Sequence, residues 1–291
     1  MRMGRAMFIA VDANPLIVLL DQNRHGPIDS ATDAPLQSKL MTPSEVRLAS
    51  IFRSGLMDWS EHQQPTEGKM ELYEAMRTTF AARDYTGEEL SDEVLYEILD
   101  NARFAPSGGN RQGNRVIVVR DLGIRKQLSK LAESGAKRYI AQINAGESPW
   151  NSVVPTKVTA QEIAGSSPPA KLTQPPLAAS VVLVFVVDLK VVASMDQDLD
   201  RVGVISGASI YPFVWNVLLA ARQAGFGGTI TTLAVAQEPK IRELLNIPAD
   251  HAVCAVVPLG KPVKQLTKLK RNPVEQIATR ERFDGEPFTC N

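Results

Sequence analysis

The sequence predicts an α+β domain built around a mixed sheet. Three observations carry that reading: helical patterns alternate with only a few buried strands, the strands lack regular βαβ spacing, and no GxGxxG follows any of them. With 291 residues, 44% of them hydrophobic, the chain can bury a substantial core as one large domain or two small ones.

Taken in order, residues 1–66 stand apart from the rest, with Pro15, Pro27, Pro35, Pro43 and Pro65 and no sustained period. They suit either an N-terminal extension, partly disordered and wrapping the main domain or a partner chain, or a false upstream start, since Met41 and Met70 both precede helical patterns. Residues 67–291 form the main domain. It opens with a helix over Met70–Thr79 that runs into Phe80–Tyr85. The next helix has Ser91 as N-cap, Asp92 and Glu93 in its first turn, and Val94, Leu95, Ile98, Leu99 and Ala102 on one face. Leu90 and Leu95 are placed for a hydrophobic staple.

A loop over Ala105–Asn114 leads into the strand Val116–Val119, and a helix follows from about Gly123 to Glu133. Residues 135–178, with Pro168-Pro169 and Pro175-Pro176, read as a long excursion able to cover a site. Val181–Val187 is a continuous apolar, β-branched run, which marks a central strand covered on both faces. A helix over Val204–Ala224 ends at Gly225, and Pro212 should kink or split it. Thr229–Thr232 is a short strand or loop, Gln237–Leu245 a helix, and Ala252–Leu259 the last strand.

Composition excludes several function classes. Lys plus Arg and Asp plus Glu both total 32, so no global field draws the chain to nucleic acid or an acidic membrane. The uncharged stretch Gly203–Ala221 contains Ser206, Ser209, Pro212 and Asn216 and reads as a buried helix, not a membrane span. Asp12, Asn14 and Pro15 interrupt the apolar run near the start, which argues against a signal peptide. Cys254 and Cys290 lie in no metal-ligand spacing, so neither zinc nor a disulfide framework is expected and a reducing cytosol fits. His25, His62 and His251 have no Ser or Cys pattern beside them, and acyl transfer has little support. Reactivity would come from a bound cofactor.

Three segments could hold one. Pro106, Ser107, Gly108, Gly109 and Asn110 sit between a helix and a strand, which suits a ligand rich in acceptors and equally an ordinary connection. Arg77, Arg83 and Arg271 carry forked donors suited to a phosphate monoester, or are three surface arginines. Gly227-Gly228 precede Thr229, Ile230 and Thr231, where a flat ring could approach the backbone and the two threonine hydroxyls would point the same way; a helix cap followed by an edge strand is the plainer reading.

In this order the segments resemble the FMN-dependent nitroreductase superfamily, in particular its iodotyrosine deiodinase branch. The likeness spans Met70 to Ile277: Arg83-Asp84-Tyr85 is similar to the end of the family's first motif, Ala105–Gln112 to its flavin loop, and Thr229–Thr232 to its Thr-x-Thr segment. Pro258–Pro262 and Leu269–Ile277 resemble its closing strand and terminal arginine segment. The resemblance implies a three-layer α/β/α fold with a mostly antiparallel sheet, a long buried helix at a homodimer interface, and two FMN sites built from both chains. It places Arg83 near flavin N1 and O2, Thr231 near N5 and Arg271 on the phosphate, with Pro106, Ser107, Gly108 and Asn110 on one side. It also implies NADH or NADPH as electron donor, a small organic acceptor such as a nitroaromatic or quinone, and a cytoplasmic enzyme. Thr79 and Ala81 stand where the first motif carries Arg and Ser, which leaves Arg77 as the candidate replacement, and Gly113-Asn114 replace the usual Pro-Trp. A flavin-storing or flavin-degrading protein of the same fold is the alternative function, and a helical interaction module the alternative class.

Overall fold

The computed structural model describes residues 7–11, 14–18 and 70–290. The chain divides into two compact units, Met1–Gln64 and Pro65–Asn291. In the first, β1 (Met7–Val11) pairs antiparallel with β2 (Asn14–Val18), and the rest of the expected extension lies outside the described residues.

The second unit is a three-layer α/β/α domain. Its sheet has the order β3 (Asn114–Val119), β4 (Val181–Asp188), β6 (His251–Gly260) and β5 (Gly227–Gly228). Every neighbouring pair among these strands is antiparallel, in line with the mostly antiparallel sheet that the family resemblance implies.

The continuous apolar run of β4 serves both faces. Val181, Leu183, Phe185 and Val187 enter one buried cluster, and Val182, Val184 and Val186 enter the other. The register of β4 against β6 shifts between Phe185 and Val186, leaving Cys254 as the extra residue. That bulge puts Cys254 and Ala255 consecutively on the same face, which a period of two does not anticipate.

Helices α1 (Leu72–Thr78), α2 (Asp92–Ala102) and a later helix, α7 (Tyr211–Gln223), form one outer layer. Ser91 caps α2 by accepting from the Val94 amide, and Leu90 and Leu95 are both buried as the staple predicts. The expected helix over Val204–Ala224 is split: a 3-10 turn over Ile205–Ser209 precedes α7, and Pro212 occupies its first turn, where proline is tolerated. Only one face of α7 is buried, through Val214, Val217, Leu218 and Ala221, while Tyr211 and Trp215 are exposed.

The opposite layer rests on α3 (Leu122–Asn144), about twice as long as expected, so the excursion begins after residue 144. Gly135 is where the sequence predicts the excursion to begin; in the fold, a Cβ there would lie 2.3 Å from the Leu233 carbonyl oxygen, so glycine permits close approach of another segment inside an unbroken helix. The excursion contains α4 (Ala160–Gly165), α5 (Ala170–Thr173) and α6 (Pro175–Ala178). Buried Arg125 of α3 donates to the carbonyls of Pro176 (2.6 Å), Leu177 (2.9 Å) and Ala179, which pins α6 to α3. A last helix, α8 (Glu238–Leu245), completes the layer through Ile241.

Candidate functional site

The first candidate region lies along the β5 edge. Gly227 and Gly228 pair with Gly260 and Leu259, and the same register continues to Thr231 opposite Val256, whose backbones exchange hydrogen bonds of 3.0 and 2.9 Å. Gly228 is required because a Cβ would come within 2.6 Å of the Pro258 carbonyl oxygen. The chain around Arg83 is laid against the same edge: the Ala82 amide donates to the Gly228 carbonyl, and buried Tyr85 lies within hydrogen-bond reach of the carbonyls of Ala82 (2.8 Å) and Pro258 (3.0 Å). Gly260 leaves room for the Tyr85 ring, and burial pushes the phenol pKa up, so Tyr85 holds this segment in place as a neutral group. Arg83 is thereby carried to a cavity of about 170 Å³ that Thr229, Ile230, Thr231 and Thr232 also line. Its guanidinium makes one hydrogen bond among the described residues, to the Ala81 carbonyl at 3.2 Å, so most of its donors remain open to a ligand.

The second region lies at the β3 edge. Loop 105–114 folds around a 3-10 turn, Gly108–Asn110, with positive φ at Gly109 (60°), Asn110 (53°) and Gln112 (51°). Within the turn, the Asn110 amide donates to the Ser107 carbonyl and the Arg111 amide to the Gly108 carbonyl. The Ser107 hydroxyl accepts from the Gln112 amide, the Ser209 hydroxyl accepts from the Gly108 amide (3.0 Å), and Asn114 donates to the Ser209 carbonyl (2.9 Å). Ser107 lines a cavity of about 160 Å³ with Asn114, Arg115 and Phe213.

The structure brings Arg83, Thr229, Ile230 and Thr231 together, and gathers Pro106, Ser107, Gly108 and Asn110 in the other loop. It joins neither Arg77 nor Arg271 to these groups: Arg77 is exposed in the last turn of α1, and Arg271 is exposed and donates to the Lys270 carbonyl. Thr79, at a departure from the motif, is buried with its hydroxyl donated to the Ala75 carbonyl, so it offers no donor to a ligand. Sequence reasoning missed Tyr139 and Lys171, which line the Arg83 cavity. Tyr139 arrives through the unforeseen length of α3, and Lys171 through α5 inside the excursion. No Asp or Glu among the described residues lines this cavity.

The nitroreductase family model matches residues 76–261. The chain belongs to this family. Among curated relatives, it is 28% identical over 221 residues to iodotyrosine deiodinase of Nematostella vectensis, covering 73% of this chain and 78% of that one. It is 23% identical over 218 residues to human iodotyrosine deiodinase 1, covering 71% and 67%. Among solved structures, a family fold is shared with iodotyrosine deiodinase bound to FMN and 3-iodo-L-tyrosine, at TM-score 0.53 and 20% identity over 73% of this chain and all of that one. The Vibrio harveyi NADPH:FMN oxidoreductase in complex with NAD+ matches at TM-score 0.52 and 19% identity, covering 73% and 78%. Among the described residues no helix is long and apolar enough to cross a membrane, and no group of three or more His, Cys, Asp or Glu side chains could hold a metal ion.

Proposed function

We propose that this nitroreductase-family protein is an FMN-dependent oxidoreductase that acts as a homodimer and passes electrons from NADH or NADPH to a small organic acceptor. The observation that carries the reading is the placement of Arg83 beside Thr229 and Thr231 in one cavity that no carboxylate among the described residues lines. The family match, and the fold shared with an FMN-bound iodotyrosine deiodinase and an NADPH:FMN oxidoreductase, support the cofactor. The residues present suit it: Arg83 has free donors for an electron-rich ring edge, the Thr229–Thr231 backbone offers an edge for a flat ring, and loop 105–114 offers the exposed Asn110 side chain to acceptor groups.

Bound FMN would supply the electron transfer itself, so the protein's part is binding, orientation and electrostatics. Arg83 places positive charge where the reduced ring would gather negative charge, and its field favours reduction. Thr231 is held by its two backbone bonds to Val256, which fixes the position of its hydroxyl at the cavity wall. Leu128, Ala132 and Val256 form apolar wall that limits water.

A dimer with two shared sites accounts for the separation of the two regions. They lie at opposite edges of the sheet, three inter-strand spacings or about 14 Å apart. They also lie on opposite faces, since Phe213 packs with one core cluster and Leu128 and Ala132 belong to the other. Exposed Tyr73, Met76, Tyr96, Tyr211 and Trp215 on α1, α2 and α7 provide apolar surface for a second copy.

The test is spectroscopic and kinetic. Purified protein titrated with FMN should show a saturable change in the flavin absorption band and then oxidise NADH or NADPH steadily with a quinone or nitroarene. A protein that leaves the FMN spectrum unchanged overturns the reading. Binding without turnover for any donor and acceptor supports the flavin-storing alternative.

A further inference from the structure

Asp196 belongs to the run Asp196-Gln197-Asp198-Leu199-Asp200, which by sequence is a solvated acidic stretch. Asp198 and Asp200 are exposed, yet Asp196 is 3% exposed. A buried carboxylate is costly unless it is well hydrogen-bonded, and Asp196 concentrates its bonds on one oxygen. Oδ2 accepts from the Val204 amide (2.7 Å), the Ile205 amide (3.3 Å) and the Arg201 guanidinium (2.7 Å). The Val204 amide first, and Arg201 after it, hold the carboxyl below the ordinary carboxylate range against the opposing effect of burial. Oδ1 is buried and accepts no hydrogen bond among the described residues.

Val204 and Ile205 open the 3-10 turn that ends at Ser209. Ser209 is also the residue whose hydroxyl holds the Gly108 amide and whose carbonyl holds the Asn114 side chain. The carboxylate therefore fixes the first residues of a five-residue turn, and the last residue of that turn fixes loop 105–114 at two points. We propose that Asp196 is a positioning residue for the flavin loop, acting through the Ile205–Ser209 turn and Ser209. This rests on reading loop 105–114 as part of the flavin site.

Asparagine is no substitute. Its amide would either turn NH2 toward the Val204 and Ile205 donors or bury NH2 at the Oδ1 position, where no acceptor waits. Asp196→Asn should raise the exchange rate of the Gly108 amide in the FMN-free protein about tenfold, equivalent to about 1.4 kcal/mol of lost closure, while β4 amides keep their protection. It should weaken FMN binding by a similar factor, and by clearly less in a Ser209→Ala background, where only the Ser209 carbonyl bond to Asn114 still links the turn to the loop. If Asp196→Asn does not fold, Arg201→Ala removes only a half-exposed partner and should raise Gly108 exchange about threefold.

Unchanged Gly108 exchange overturns the proposal, as does an additive double variant. If Gly108 exchange responds but the wild-type protein binds no FMN, the flavin reading falls and the positioning of the loop by Asp196 stands.

Discussion

The two halves of the candidate site are held by different means. On the β5 edge, Thr231 sits on backbone paired with β6, and Arg83 on a segment bonded to Gly228 of β5 and anchored by buried Tyr85, so their geometry is set by the sheet itself. On the β3 edge, loop 105–114 has positive-φ residues and is tied through side chains to a 3-10 turn that is capped in turn by one buried carboxylate. The first half should be rigid before any ligand binds. The second should be sensitive to single side-chain changes, as loops on a rigid scaffold are.

Arg83→Ala offers the largest test of this contrast. On the sheet-anchored half it should remove charge and not structure: FMN affinity falls by about 2 kcal/mol or more, the bound flavin becomes harder to reduce, and the melting temperature is unchanged. Titration, potentiometry and thermal melts check the three parts, and a large drop in melting temperature would show that Arg83 is structural. Thr231→Val should be milder, at about 1 kcal/mol, because it deletes a hydroxyl and keeps both backbone bonds to Val256. It should lower turnover more than flavin affinity, and equal losses in both would break the assignment.

Lys171→Ala should cost less again, under about 1 kcal/mol, because the side chain is exposed at the cavity rim. Its effect should be confined to KM for negatively charged acceptors, as steady-state kinetics with charged and neutral quinones would reveal. The smallest effect concerns the ion pair between Lys190, just after β4, and Asp250, just before β6. A hydrogen bond from Lys190, and then one from His251, hold the Asp250 carboxyl at about 2, below its ordinary 3.8. A depressed pKa contributes stability above the ordinary value that disappears as pH falls through the folded one. The melting-temperature difference between wild type and Asp250→Asn should therefore be small at about pH 6 and shrink further toward about pH 2. A difference that grows on acidification would contradict the pairing.

What the sequence disclosed follows the same division. The β4 run, the Ser91 cap and the Leu90–Leu95 staple were legible because they depend on local period and chemistry. The Thr229–Thr231 edge and loop 105–114 were legible as motifs. The bulge at Cys254 and the continuation of α3 past Gly135 were not, because each is decided by a distant neighbour: β4 for the bulge, the Leu233 carbonyl for Gly135. The same holds for Asp196, indistinguishable in sequence from exposed Asp198, and for Tyr139 and Lys171, which reach the cavity only through tertiary placement. Arg271 shows the converse, a residue picked out by motif that this single chain leaves exposed and apart from both cavities.

The central claim is that one flavin site takes Arg83 and Thr231 from one chain and loop 105–114 from another, and subunit mixing tests it directly. Two variants each disable one half: Arg83→Ala on the β5 edge, and Gly109→Val, which forces a β-branched residue to φ 60°, on the β3 edge. Each homodimer alone should bind FMN poorly. Unfolded together and refolded as a mixture, half of the dimers become heterodimers with one intact site of two, and flavin per chain should recover to about one quarter of wild type. Recovery to that level supports a shared site, and a mixture that binds no more FMN than the separate variants contradicts it.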